Sequence, residues 1–223
     1  MRETILVLDF GGQYNQLIAR RVRECGVYCE VRPFTMTAEE IRRMAPKGII
    51  LTGGPNSVYD MTSPHGDPAI FDMGIPVLGI CYGAQLMAFT LGGKVATAPV
   101  SEYGRTEVTI LKKTGLLADM ADETVTWMSH TDYIEKMPDG FEATACTPVC
   151  PVAAMENEER KLYGLQFHPE VTHSEEGMKM LSAFVYRSCG CSGDWKMNSF
   201  VEEMISAVRS KVGSGRVLCA LSG

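Results

Sequence analysis

The stretch Val77-Leu78-Gly79-Ile80-Cys81-Tyr82-Gly83-Ala84-Gln85-Leu86-Met87-Ala88 constrains the fold more than any other part of the chain. Its first four residues are a short apolar run, the pattern of a parallel strand covered on both faces. The segment after Cys81 is apolar too and reads as a buried helix. Gly79 and Gly83 bracket Cys81 at two residues on each side, the spacing of a nucleophile elbow with Cys in place of Ser. Such a turn strains the backbone of its central residue, and only glycines let the neighbouring chain pass so close. It carries the sulfur to the carboxyl end of a sheet, beside a helix N-terminus whose dipole and free N–H groups favour a thiolate. The competing reading is a small buried hydrophobe, the commonest fate of a free cysteine. A base elsewhere in the chain decides between them.

The first half of the chain repeats strand-then-helix. Thr4-Ile5-Leu6-Val7-Leu8 is a buried strand ending at Asp9-Phe10-Gly11-Gly12-Gln13, and a helix follows with Tyr14, Leu17, Ile18, Val22 and Cys25 on one face and Gly26 as its stop. The fingerprint G-x-G-x-x-G is absent, which sets a dinucleotide site aside. Residues 27–32 alternate like a strand near an edge, Thr37-Ala38-Glu39-Glu40 is a capping box, and Gly48-Ile49-Ile50-Leu51 runs into Thr52-Gly53-Gly54-Pro55. This grammar means a parallel α/β sheet whose sites lie beyond the strands' carboxyl ends, where Asp9, Gly53-Gly54 and Cys81 all fall. From about residue 100 shorter alternating strands take over, at 106–111, 124–128, 142–146, 152–155 and 162–167. The expected fold is therefore α/β: a mostly parallel doubly wound sheet with a nucleophile elbow, plus antiparallel strands in the second half. A helix capped by Thr172 and Glu175 comes next, then a linker at Cys189-Gly190-Cys191-Ser192-Gly193, an amphipathic helix from Ser199, and a strand over 216–221 that stops at Ser222-Gly223.

Composition bounds the function. The 223 residues allow one large domain, or one plus a fragment, and 45% hydrophobic content is ample for a core. A formal charge of −6 argues against general nucleic-acid binding, and no apolar run reaches membrane-spanning length. The chain starts on a strand rather than a signal peptide. Its 8 cysteines are scattered through apolar segments without a CxxC pair, so neither disulfides nor a zinc site is expected and a reducing cytoplasm is the simplest setting.

A thiolate nucleophile needs a base, and the base an orienting group. Of the 4 histidines, His168 stands in Phe167-His168-Pro169-Glu170, after a buried strand. Pro169 biases it to an extended backbone, where residues two apart point the same way, so His168 and Glu170 can face one site. Cys81, His168 and Glu170 are thus the candidate triad. Attack on an amide creates an oxyanion, for which the backbone N–H of Tyr82 and the Gly53-Gly54 turn are candidate donors.

Taken together, Cys81-Tyr82-Gly83-Ala84-Gln85, Leu51-Thr52-Gly53-Gly54-Pro55 and Phe167-His168-Pro169-Glu170 resemble the three motifs of triad-type glutamine amidotransferase domains. Asp9-Phe10-Gly11-Gly12-Gln13-Tyr14, Glu102-Tyr103-Gly104, Trp127-Met128-Ser129-His130-Thr131-Asp132 and Gly193-Asp194-Trp195 narrow the resemblance to the glutamine-hydrolysing GMP synthetase family, across essentially the whole chain. The resemblance implies glutamine hydrolysis through a cysteinyl thioester, with ammonia passed on to aminate adenylated XMP. It implies an oxyanion hole at Gly54 and Tyr82, and glutamine contacts from Gln85, Ser129 and Asp132, the last an anion for the α-amino group. His130 would orient that loop. Residues 1–190 would be the glutaminase domain and 191–223 a linker and the start of an ATP pyrophosphatase domain, whose S-G-G-V-D-S loop is cut short, so a fragment is expected. No metal or cofactor is implied here; ATP and Mg²⁺ belong to the remaining domain, which is the expected partner within a homodimeric full-length enzyme. Two other readings stay open: a glutaminase serving another acceptor, and a non-catalytic glutamine-sensing regulatory module.

Overall fold

A computed structural model describes residues 2–218, the side chains of 198–200 and 203 excepted. Among the described residues nine strands form one sheet: β1 (Thr4–Asp9), β2 (Tyr28–Pro33), β3 (Gly48–Leu51), β4 (Val77–Ile80), β5 (Lys94–Ile110), β6 (Glu123–Lys136), β7 (Glu142–Cys146), β8 (Ala154–Asn157) and β9 (Leu162–Leu165). Their order is β2-β1-β3-β4-β9-β8-β7-β5-β6. The first five in that order are mutually parallel; from β9 onward each neighbour is antiparallel. Among the described residues five α-helices accompany them: α1 (Asn15–Glu24), α2 (Ala38–Met44), α3 (Tyr82–Thr90), α4 (Gly177–Ala183) and α5 (Met197–Val212).

The parallel half buries both faces, as its unbroken apolar strands require. Along β1, Ile5 and Val7 enter one core with Ile18 and Val22 of α1 and Met180 and Leu181 of α4. Leu6 and Leu8 enter the other core, with Ile41 of α2 and Leu86 and Met87 of α3. The chain leaves β1 for β2 on one side and returns to β3 on the other. That reversal opens a crevice at the carboxyl ends of β1 and β3, the switch point where open α/β sheets bind ligands. The capping box read from sequence is present: the Thr37 side chain accepts from the Glu40 backbone N–H, and the Glu40 carboxylate answers the Thr37 N–H.

Four expectations need correction. The strands expected at 106–111 and 124–128 are parts of a long hairpin, β5 and β6, of 17 and 14 residues. Pro99 and Gly104 hid its outer half; a register shift between Thr97 and Glu102 accommodates Pro99, and Gly104 pairs in register with Met128. The cap expected at Thr172 is absent: Thr172 is exposed, and α4 starts later, after Glu176. Instead Ser174 donates to the His168 carbonyl at 2.6 Å and accepts from the Trp127 N–H at 3.0 Å, which uses those residues to hold the His168 segment. Residues 189–193, read as a linker, lie against the body. Cys189 and Cys191 are buried, the Ser192 N–H and hydroxyl each sit 2.8 Å from the Glu3 carboxylate, and the Trp195 N–H donates to the Gly26 carbonyl at 2.8 Å. Beyond them α5 exposes Val201, Met204, Ile205 and Val208. The strand expected over 216–221 is not formed at 216–218; its remainder, with Ser222 and Gly223, lies outside the described residues. Among the described residues no helix is long and apolar enough to cross a membrane.

Candidate active site

Cys81 lies where β4 turns into α3, with φ +52° and ψ −107°. A non-glycine residue there stores roughly 1–3 kcal/mol of backbone strain, which the surroundings must hold in place. Here the Cys81 N–H donates to the Leu165 carbonyl at 2.7 Å, and both flanking glycines are sterically required. A Cβ on Gly79 would lie 2.5 Å from the Gly83 backbone, and one on Gly83 would lie 2.7 Å from Leu51 Cβ and collide with the Leu51 carbonyl. The elbow spacing read from sequence is thus a packing necessity between β4, α3 and β3.

His168 follows β9. Its Nδ1 is 2.7 Å from Glu170 Oε1, the same-side arrangement expected of residues two apart around Pro169. Glu170 is fully buried, and Arg21 of α1 donates to its carbonyl at 2.9 Å. With Nδ1 taken, Nε2 is the ring nitrogen left to act on Cys81. Burial works against a charged imidazole at this depth. The hydrogen bonds to Cys81 and Glu170 and the charges of both outweigh it, and raise the His168 pKa to about 10. The ring of Tyr14 packs edge-on against that imidazole, 5.1 Å between centroids.

Gly53 packs against both side chains: a Cβ there would lie 3.2 Å from His168 Cε1 and 3.8 Å from Cys81 Cβ. Gly54 is equally tight, with the Phe10 carbonyl 3.0 Å away from its own would-be Cβ. Tyr82 is the first residue of α3, so its N–H is one of the helix donors without an intrahelical acceptor. A cleft of about 490 Å³ opens over these groups, of a size that takes small ligands.

The far wall comes from β6. Ser129 places its carbonyl 3.7 Å from Cys81 Sγ, and Asp132 is buried at the cleft with Ser57 Oγ on one carboxylate oxygen and Tyr59 OH, at 3.0 Å, on the other. Gln85 is buried rather than free: its Nε2 donates to the Asp132 carbonyl at 2.7 Å and lies 3.2 Å from Gln166 Oε1. The structure thus brings Cys81, His168 and Glu170 together and gathers Gly54, Tyr82, Gln85, Ser129 and Asp132 around them. Sequence reasoning passed over Ser57, Tyr59 and Gln166, and read Tyr14 only as an apolar helix residue. The hydroxyls had one signal, their place in a loop just after a strand's carboxyl end.

Behind the wall, His130 Nε2 lies 3.2 Å from Glu102 Oε2, and Thr147 donates to Glu102 Oε1 at 2.8 Å. Burial lowers the His130 pKa against the pull of the Glu102 charge. Glu102, His130 and Cys150 hold their potential ligand atoms within 4.8 Å of one another, all buried. Both Glu102 oxygens already have partners, however, and burial pushes the Cys150 thiol up to about 12, which favours the neutral thiol over a ligating thiolate.

The family model for glutamine amidotransferase class-I matches residues 6–188. A "GMP synthase [glutamine-hydrolyzing]" of Clostridium botulinum (strain Alaska E43 / Type E3) is 65% identical over 222 residues, covering 100% of this chain and 43% of that protein. The Clostridium perfringens protein of the same description is 59% identical, with 44% of its length covered. The chain therefore spans less than half the length of these relatives. Among solved structures, a Thermoplasma acidophilum protein provisionally described as one subunit of a GMP synthase superposes with a TM-score of 0.78 at 28% identity, covering 92% of this chain and 98% of that one. A glutamine amidotransferase of Thermotoga maritima, at 18% identity and TM-score 0.68, shares the fold over 86% of this chain and 100% of its own.

Proposed function

The chain belongs to the class-I glutamine amidotransferase family, and from that premise we propose that it hydrolyses glutamine to glutamate and ammonia through a thioester on Cys81. The single observation that carries the reading is the elbow cysteine at positive φ, packed across Gly53 beside a histidine whose Nδ1 is 2.7 Å from a buried carboxylate. Cys81 Sγ attacks the side-chain amide carbon while the thiol proton resides on His168. The carbonyl electrons move to oxygen, and the oxyanion is met by the backbone N–H groups of Tyr82 and Gly54. The intermediate collapses as His168 returns the proton to departing ammonia. Water then gives a proton to His168 and attacks the thioester, and the carbon–sulfur bond breaks to release glutamate. Glu170 orients the imidazole and stabilises its charged form.

Asp132 serves as counter-ion for the α-ammonium group of glutamine, and Ser129 and Gln85 shape the same wall. In a longer chain like that of the relatives, the ammonia aminates XMP to GMP in a synthetase part that uses ATP and Mg²⁺ and forms a homodimer in the cytoplasm. Residues 1–190 are then the glutaminase domain and 191–223 the passage into the next. The description of the relatives as glutamine-hydrolysing GMP synthases supports this acceptor over another one. The test is labelling by a glutamine-mimicking electrophile: Cys81 is expected to be modified, glutamine to protect it, and Cys81→Ala to lose both labelling and glutaminase activity. Ordinary hydrolysis by Cys81→Ala would overturn the reading.

A further inference from the structure

We propose that Gln166 is a further catalytic residue, a neutral donor whose side-chain amide N–H hydrogen-bonds the Cys81 sulfur and stabilises it whenever it is negatively charged. The proposal rests on Cys81 being the nucleophile and deepens that reading. Gln166 stands between β9 and the His168 segment, 1% exposed, with Nε2 3.8 Å from Cys81 Sγ.

The surrounding hydrogen bonds fix which end of this amide faces the sulfur. The Asp132 backbone carbonyl can only accept, so the Gln85 group 2.7 Å from it is the NH₂. That same NH₂ is 3.2 Å from Gln166, and donors do not face donors, so Gln166 presents its oxygen there. Its own NH₂ is left pointing at Cys81. A leucine would fill a similar space without burying an amide, which is costly unless every polar atom finds a partner. What a leucine cannot supply is a donor to sulfur.

The sulfur has need of one. The Ser129 carbonyl, 3.7 Å away, accepts a thiol proton but repels the sulfur once the proton has gone. His168 is the other donor, and its proton is consumed on the leaving ammonia. Gln166 transfers no proton and remains a donor throughout. It faces the sulfur when Cys81 has lost its proton before attack, and again when the thioester bond breaks and the electron pair returns to sulfur. The residue touches the reacting atom itself, and through Gln85 it is tied to the Asp132 backbone on the opposite wall.

The experiment is alkylation of Cys81 by iodoacetamide, which reads the thiolate, followed at the Cys81 peptide by mass spectrometry from roughly pH 5.5 to roughly pH 9.5 in the parent chain, Gln166→Leu and Gln166→Glu. The expected result is alkylation about tenfold slower in Gln166→Leu at neutral pH, the low end for a hydrogen bond to a charged group, with the deficit closing as pH rises. Gln166→Glu, nearly isosteric but bringing a carboxylate to the sulfur, is expected to be slower still and guards against a leucine variant that does not fold. Circular dichroism establishes folding of each. A leucine profile superimposable on the parent's, or a deficit that is constant across pH, would overturn the proposal. Alkylation requires no glutamine, so this outcome is separate from any failure of glutamine hydrolysis in the parent chain.

Discussion

β4 and β6 both put functional groups on the cleft, but β4 does so beyond its last residue and β6 from within its span. Cys81 sits in the turn after β4, in a conformation no strand would hold, wedged between two glycines that touch neighbouring backbone. Ser129 and Asp132 sit within β6, at backbone without positive φ, on either side of the point where its pairing with β5 shifts register. The parallel half therefore carries backbone strain in order to place its nucleophile, and tolerates almost no added volume nearby. The antiparallel half presents a carbonyl and a carboxylate from relaxed backbone, and positions them with side-chain hydrogen bonds. Errors in the first should damage the fold; errors in the second should damage binding.

Glycine substitutions break the comparison most sharply. Gly83→Ala drives a Cβ into Leu51, and overpacking against backbone costs at least about 3 kcal/mol. Gly104 of β5, at φ +99° with nothing within 4 Å of its would-be Cβ, should cost only about 1–2 kcal/mol of conformational strain as Gly104→Ala. Urea unfolding of the two variants measures the difference. Equal losses would mean that the elbow is no tighter than the hairpin.

Glu170→Gln tests the charge behind the imidazole. The expected loss in kcat/KM is about 10²–10³-fold, within the range for disabling acid–base catalysis. It has a stability signature as well. Burial opposes a charged His168, yet its partners raise the pKa to about 10. A folded-state value above the unfolded one contributes stability that is fully present below about pH 6.5. That contribution is lost as pH rises toward about 10. In Glu170→Gln the contribution should be smaller and its loss complete at lower pH, which thermal unfolding from about pH 6 to about pH 10 would register; an unchanged profile would remove Glu170 from this role.

On the other wall, Asp132→Asn keeps the shape and the contacts with Ser57 and Tyr59 but removes the charge. If the α-ammonium of glutamine sits there, KM should rise about tenfold or more with kcat much less affected. A fall in kcat at constant KM would place Asp132 with the elbow rather than opposite it.

The same division explains what could be read in advance. The parallel half announces itself in short apolar runs and glycine turns, because double burial and tight elbows leave little choice of residue. His168 and Glu170 could be paired because proline fixes an extended backbone locally. The long hairpin was harder to see: its outer residues face solvent, so Pro99 and Gly104 are accommodated and the alternation fades. The cap at Thr172 was misplaced because a cap and a loop tether use the same residue types, and only the fold shows that Ser174 holds the His168 carbonyl. Gln166 was invisible for a different reason. Nothing local marks a buried amide as the partner of a sulfur 85 positions earlier.

The smallest effect lies at α5, which stands apart from both halves of the sheet. Val201, Met204, Ile205 and Val208 recur at helical spacing, yet each is about half exposed, between 46% and 52%. The last well-anchored point before them is Trp195, held by the Gly26 carbonyl and packed 6.0 Å from the ring of Tyr28. In a body helix such as α4, Met180 and Leu181 are fully buried, and a charge at either would cost several kcal/mol. On α5 the same change has little packing to remove, so Met204→Lys and Val208→Lys should each move thermal stability by no more than about 0.5 kcal/mol. A loss above about 1 kcal/mol in the isolated chain would mean that something covers this stripe, a second copy being the nearest available surface, and sedimentation of the same variants would then show dissociation. An unchanged stability leaves a helix whose apolar face makes sense only against residues beyond its own body, since a sixteen-residue helix gains most of its stability from packing rather than from propensity.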